Sequence, residues 1–193
     1  MTDFLRKVFG KLLNSIAAFL YSIGFSPNLI TILGLLGNIL AAWFIANGNL
    51  FTGGLLVLVF GLFDAIDGSM ARLKGGETRF GAFLDSVLDR YTELAIFFGI
   101  LIYSLRDSNS VNCVLVFLAA GGSVLVSYIR ARAQSLGIDT KIGILTRVER
   151  YLVIVPSLLF SRPEVGLWII AIFGNITAFQ RIWHVRQQLK QGE

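Results

Sequence analysis

Four carboxylates, Asp64, Asp67, Asp85 and Asp89, stand at the ends of two strongly apolar segments in the stretch DAIDGSMARLKGGETRFGAFLDSVLD. A charged Asp at the centre of a bilayer costs roughly 2.5–3.5 kcal/mol on insertion scales, so four of them call for a neutralising cation. On helices, Asp64 and Asp67 are three residues apart and Asp85 and Asp89 four apart, so each pair shares a face. The polar, Gly-rich turn between the pairs carries Arg72, Lys74 and Arg79. Two helices joined by such a turn are expected to be antiparallel neighbours, which brings the four carboxylates together. An all-oxygen cluster suits a hard divalent cation such as Mg2+ or Mn2+. With no base placed among the carboxylates, a metal site at a membrane surface is favoured over a salt-bridge cluster.

The elements that must position these residues are membrane helices. The chain has 193 residues, 55% of them hydrophobic and only 15% charged, with a mean hydropathy of +0.72. That is far more apolar than a soluble domain, and the length suits one domain, 1–193. The expected fold is an all-α integral membrane protein with six transmembrane helices after an N-terminal interfacial amphipathic helix. Residues 2–21 place Phe4, Leu5, Val8, Phe9, Leu12, Leu13 and Ile16 at helical spacing, with Arg6, Lys7 and Lys11 opposite. A secretory signal peptide is disfavoured there, because Asn14 and Ser15 interrupt the apolar run and no small-residue cleavage site ends it.

Gly24 and Pro27 end that helix, and Ser26-Pro27 opens the next. Spans are expected near 28–47, 50–73, 81–104, 111–135, 148–162 and 164–186, each approaching the ~20 residues that cross a bilayer. The fifth is short and contains Pro156. Gly34, Gly37, Gly53, Gly54, Gly121 and Gly122 offer positions of close helix approach. Of 17 Lys and Arg, only Arg106 and Arg162 fall in the loops after spans one, three and five. The positive-inside rule then places the other side, with both termini and the carboxylates, in the cytoplasm of a cell-membrane protein.

Composition excludes several other functions. Cys113 is alone, so no intrachain disulfide forms. The net charge of +5 comes from residues flanking the spans, which points to an anionic membrane surface and anionic substrates, not to nucleic acid. A divalent-cation transporter fits six spans and clustered Asp residues. Against it, no acidic residue marks an exit on the far side. Trp43, Trp168 and Trp183 fit interfacial belts, and His184 reads as an interfacial side chain.

The pattern D-x-x-D-G-x-x-A-R, eight residues, then G-x-x-x-D-x-x-x-D is met at Asp64, Asp67, Gly68, Ala71, Arg72, Gly81, Asp85 and Asp89. It resembles the signature of the CDP-alcohol phosphotransferase family. The resemblance implies that a CDP-linked lipid donates its phosphatidyl group to an alcohol while CMP leaves. It implies two divalent ions, Mg2+ or Mn2+, one held by Asp64, Asp67 and Asp85 and the other by Asp64, Asp85 and Asp89. Asp89 would also take the proton of the acceptor hydroxyl as general base. Gly68 and Gly81 would let the nucleotide approach the backbone, though Gly68 can also be read as a helix stop. Ala71 would give room, and Arg72 and Thr78 would contact the CDP group beside Asp67. The stretch SPNLIT adds Asn28 and Thr31 to the CDP-lipid residues. Arg90 and Glu93 are expected to support the site without touching substrate.

Later basic residues concern the acceptor. SYIRARAQSLG, TRVER and QRIWHVR place Arg130, Arg150 and Arg181 at one level, where planar guanidinium forks suit a phosphate. This layout resembles the phosphatidylinositol phosphate synthases of actinobacteria and their archaeal counterparts. It departs from them in having Arg130 for the more usual Lys and no first Glu in the ER-x-ER stretch. The resemblance implies inositol 1-phosphate as acceptor, with glycerol 3-phosphate as the alternative. A homodimer is implied by the family alone.

Overall fold

The computed structural model describes residues 2–76 and 78–192, with the side chains of 2–9, 11, 12, 191 and 192 outside the described set. It is helical, with α1 (Thr2–Ser22), α2 (Pro27–Ala46), α3 (Leu50–Gly61), α4 (Phe63–Leu73), α5 (Arg79–Arg106), α6 (Ser110–Ser135), α7 (Arg147–Leu159) and α8 (Pro163–Gly192). No strand occurs among the described residues. Four stretches are long and apolar enough to cross a membrane: Pro27–Ala46, Leu50–Leu73, Ser110–Ser135 and Pro163–Lys190. Of the two other expected spans, α5 carries Asp85, Asp89, Arg90 and Glu93, and α7 has only 13 residues. The chain forms two compact units, Met1–Gly99 and Ile100–Glu193.

In the first unit, helix boundaries follow local chemistry. Ser26 caps α2 by accepting the Leu29 N–H at 3.3 Å, and Pro27 occupies the first helical position, where a missing N–H costs nothing. The expected span 50–73 is broken at Leu62 into α3 and α4, directly after Gly61, which has no side chain to support the helix there. This break matters because Asp64 then falls in the first turn of α4. A carboxylate is favoured at that end by the exposed N–H groups and the helix dipole. α1 packs on α4, and Ala17, Ile30, Ile66 and Met70 share one buried cluster with Leu13 and Leu20 alongside. The residues that define the expected amphipathic pattern, Phe4 to Leu12, have side chains outside the described residues. Ile16, on the same pattern, is exposed.

Small residues make the close approaches expected of them at most but not all positions. A Cβ on Gly37 would stand 2.2 Å from the Phe60 ring, and one on Gly53 would stand 2.4 Å from Ile45 Cγ1. α2 and α3 therefore pack at glycine distance. In the second unit a Cβ on Gly122 would meet Asn175 Nδ2 at 2.8 Å, whereas one on Gly121 meets nothing within 4 Å. Asn175 donates to the Leu118 carbonyl at 3.2 Å and so ties α8 to α6. Pro156 lies inside α7, and Pro163 opens α8. Between α6 and α7 runs a strap, residues 136–146, in which Thr140 and Leu145 are buried.

Candidate metal and nucleotide site

The turn that follows α4 uses Gly75 and Gly76 at φ +97° and +121°, backbone that L side chains rarely adopt. Thr78 then caps α5, its Oγ1 accepting the Gly81 N–H at 3.0 Å. This short connection brings Asp85 back to α4. Carboxylate oxygens of Asp64, Asp67 and Asp85 lie within 4.8 Å of one another. Three like charges at that range repel, and a hard divalent cation is the natural partner for such an oxygen set. The residues present therefore fit the metal that their spacing implies. Asp89, the fourth expected carboxylate, follows one turn along α5 and is buried, with Oδ2 3.2 Å from Arg90 Nη1. Arg90 is anchored in turn by donating to the Ser86 carbonyl at 2.6 Å.

Around this trio stand the residues expected to meet a nucleotide. The Thr31 hydroxyl lies 2.7 Å from Asp67 Oδ2 and 3.1 Å from the Pro27 carbonyl; the shorter contact joins α2 to α4 and orients the carboxylate. A Cβ on Gly81 would meet Thr78 Oγ1 at 3.0 Å and Asn28 Oδ1 at 3.2 Å, so Asn28, Thr78 and Gly81 form one group. Gly68 is different. It lies inside α4, not at its end, which removes the helix-stop reading. A Cβ there would meet only Arg72 Nη1, at an ordinary 3.6 Å. Glycine inside a helix costs about 1 kcal/mol relative to Ala, and nothing packed against Gly68 demands it. Ala71 is buried in α4.

Sequence reasoning missed Ser69. Its hydroxyl accepts from Arg72 Nη2 at 2.7 Å and donates to the Ala65 carbonyl at 2.9 Å, which aims the guanidinium along α4. The i, i+3 spacing of Ser69 and Arg72 was the available signal.

The three acceptor arginines all lie in the second unit. Arg150 and Arg181 are 2% and 3% exposed, and Arg181 lies within electrostatic reach of both Arg150 and Arg130. Arg130 is exposed. Arg181 Nε donates to the Ile142 carbonyl at 2.9 Å and Nη1 to the Val126 carbonyl at 2.6 Å, so two of its nitrogens hold backbone. Arg150 Nη1 lies 3.3 Å from the Leu145 carbonyl. At the start of α7 the Thr146 hydroxyl donates to the Glu149 carboxylate. On the strap, a 2.7 Å contact with Lys141 holds the Asp139 carboxyl below its ordinary value, and the charges of Lys141 and Arg130 act in the same direction. His184 lies beside Trp183 and Arg186 in a groove formed by α8 and Ile142–Ile144.

This chain is similar to several known proteins over most of its length. The phosphatidylinositol phosphate synthase of Mycobacteroides abscessus is 34% identical over 190 residues, covering 94% of this chain and 86% of that protein. The archaetidylinositol phosphate synthase of Pyrococcus horikoshii is 37% identical over 181 residues, covering 93% and 94%. The crystal structure of the Mycobacterium tuberculosis phosphatidylinositol phosphate synthase with CDP-DAG bound superposes with a TM-score of 0.86 at 33% identity, covering 91% of this chain and 94% of that one. The same enzyme in complex with manganese and citrate gives 0.83 at 34% identity, covering 90% and 88%. The family model for CDP-alcohol phosphatidyltransferases matches residues 25–180, a stretch that holds every carboxylate of the site. With its oxygen trio and this match over most of its length, the chain belongs to the CDP-alcohol phosphatidyltransferase family.

Proposed function

We propose that this protein transfers the phosphatidyl group of a CDP-linked lipid, ester or ether, to inositol 1-phosphate, releasing CMP and forming phosphatidylinositol phosphate. Family membership makes it a transferase and removes the transporter alternative. The inositol phosphates in the names of its relatives support the choice of acceptor. The observation that carries the acceptor class is the arginine group: two buried guanidiniums and a third in electrostatic range suit a phosphorylated substrate.

In this reading Asp64, Asp67, Asp85 and Asp89 hold divalent ions. When bound, these ions neutralise charge that builds on the phosphoryl oxygens and on departing CMP. The chain's own residues do the rest. Thr31 keeps the Asp67 carboxylate turned toward the trio. Asn28, Thr78 and Gly81 receive the nucleotide, Gly68 and Ala71 leave it room, and Arg72, aimed by Ser69, meets a phosphate. An acceptor hydroxyl oxygen attacks the lipid-bearing phosphorus, the bond from that phosphorus to the CMP oxygen breaks, and Asp89 takes the hydroxyl proton. Arg130, Arg150 and Arg181 hold the acceptor's own phosphate. The whole chain, 1–193, acts as one catalytic domain.

All six apolar stretches cross the membrane in this account, with α1 lying in the interface and both termini and the site facing the cytoplasm. The Lys and Arg distribution supports that orientation. The working unit is a homodimer, as the family implies. A C-terminal reporter responding only outside the cytoplasm, or a monomeric mass for the active detergent complex, would overturn these two points.

Replacing Arg150 by Ala tests the acceptor assignment. Losing one charged hydrogen bond of ~1.5–3 kcal/mol is expected to raise the apparent KM for inositol 1-phosphate about 10- to 150-fold, with little change for the CDP-lipid. An unchanged acceptor KM would remove Arg150 from phosphate binding.

A further inference from the structure

We propose that Thr177 of α8 is a positioning residue for acceptor binding, holding the 136–146 strap so that the Leu145 carbonyl steadies the Arg150 guanidinium. This rests on the reading of Arg150 as a phosphate ligand. Thr177 is fully buried. Its hydroxyl donates to the Phe173 carbonyl at 2.8 Å, one turn back on its own helix, an ordinary habit of helical Thr. With its hydrogen so committed, the oxygen is left as an acceptor. It receives the Leu145 N–H at 3.0 Å from 32 residues away. The opposite side of the same residue, the Leu145 carbonyl, lies 3.3 Å from Arg150 Nη1. One residue of the strap thus links the Thr177 hydroxyl to the acceptor arginine.

Two further features show that the strap is built to be held there. Gly143 adopts φ +139°, and a Cβ on it would stand 2.3 Å from Thr177 Cγ2, so both its backbone and the space beside Thr177 require glycine. Arg181, one turn further along α8, grips the Ile142 carbonyl at 2.9 Å. Thr177 and Arg181 therefore clamp the strap at two points, three residues apart. A guanidinium aimed at a phosphate tolerates little displacement, and a misplacement of about 1 Å can cost around 100-fold in the step it serves.

The test compares Thr177→Val and Thr177→Ser with Arg150→Ala in purified, reconstituted full-length protein, reading CMP release against inositol 1-phosphate and CDP-diacylglycerol separately. Val keeps the shape and removes the acceptor oxygen; Ser restores it. Thr177→Val is expected to raise the acceptor KM roughly 10- to 100-fold. The CDP-lipid KM should stay within about twofold, the pattern of a lost acceptor contact and not of general damage. Thr177→Ser should return the acceptor KM to near the parent value. Adding Thr177→Val to Arg150→Ala should raise that KM no further, because the two act on one interaction. If the Val variant does not fold, Thr177→Cys, with a weak sulfur acceptor, is expected to shift the same constant the same way. An unchanged acceptor KM in Thr177→Val or Cys, with Arg150→Ala raised, overturns this inference alone. Equal rises in both KM values also overturn it. An unchanged KM in Arg150→Ala overturns the reading beneath it as well.

Discussion

Asp89→Asn is expected to cut turnover about 10²- to 10⁴-fold, the usual cost of losing a general base, while leaving CDP-lipid binding largely intact. Asn has the size of Asp but cannot take up a proton at the attacking oxygen. Asp89 is buried one helical turn beyond Asp85 and stands apart from the close group of Asp64, Asp67 and Asp85. Its carboxylate lies 3.2 Å from Arg90, whose guanidinium also donates to the Ser86 carbonyl. Single-turnover CMP release in the purified variant, with CDP-lipid binding measured in parallel, checks the expectation. Near-normal release would take Asp89 out of the proton transfer.

Removal of divalent cation should abolish turnover altogether, with recovery on adding Mg2+ or Mn2+. The reason is the crowding of carboxylates: oxygens of Asp64, Asp67 and Asp85 lie within 4.8 Å of one another. Without a cation these groups meet each other's charge, and the phosphoryl oxygens of a substrate would add more. Thr31 can relieve only Asp67, to which it donates one hydrogen bond. Asp67→Asn should therefore weaken metal affinity as well as lower the rate, seen as a higher Mg2+ concentration at half-maximal activity. Full activity after exhaustive chelation, with metal content verified, would contradict the assignment.

Much of the site was legible because its information is local. Asp64 and Asp67, or Asp85 and Asp89, declare a shared helix face by spacing alone. The Gly-rich turn at Gly75-Gly76 folds one pair toward the other, and Ser26-Pro27 marks a helix start. The break at Leu62 was not visible, since Leu50–Leu73 is apolar almost throughout and hydropathy carries no sign of a one-residue interruption. Nor was the use of Arg181. Its backbone partners lie 39 and 55 residues away, at Ile142 and Val126, and no periodicity encodes a contact of that range. A basic residue near a span end looks the same in sequence whether it faces lipid phosphate, substrate phosphate or a buried carbonyl. Gly68 shows a related limit. A glycine between helical residues can stop a helix or leave space within one, and only the observed course of α4 tells the two apart.

The central claim is that this chain joins a CDP-linked lipid to a phosphorylated polyol, and the product decides it. Purified protein would receive CDP-diacylglycerol and Mg2+ with inositol 1-phosphate, glycerol 3-phosphate, free inositol or serine in separate reactions, each followed by CMP release and mass analysis of the lipid formed. The account predicts CMP release chiefly with inositol 1-phosphate and a product with the mass of phosphatidylinositol phosphate. Turnover chiefly with glycerol 3-phosphate would keep the arginine argument and change the acceptor. Turnover only with free inositol or serine would contradict the account, because Arg130, Arg150 and Arg181 would then have no phosphate to hold.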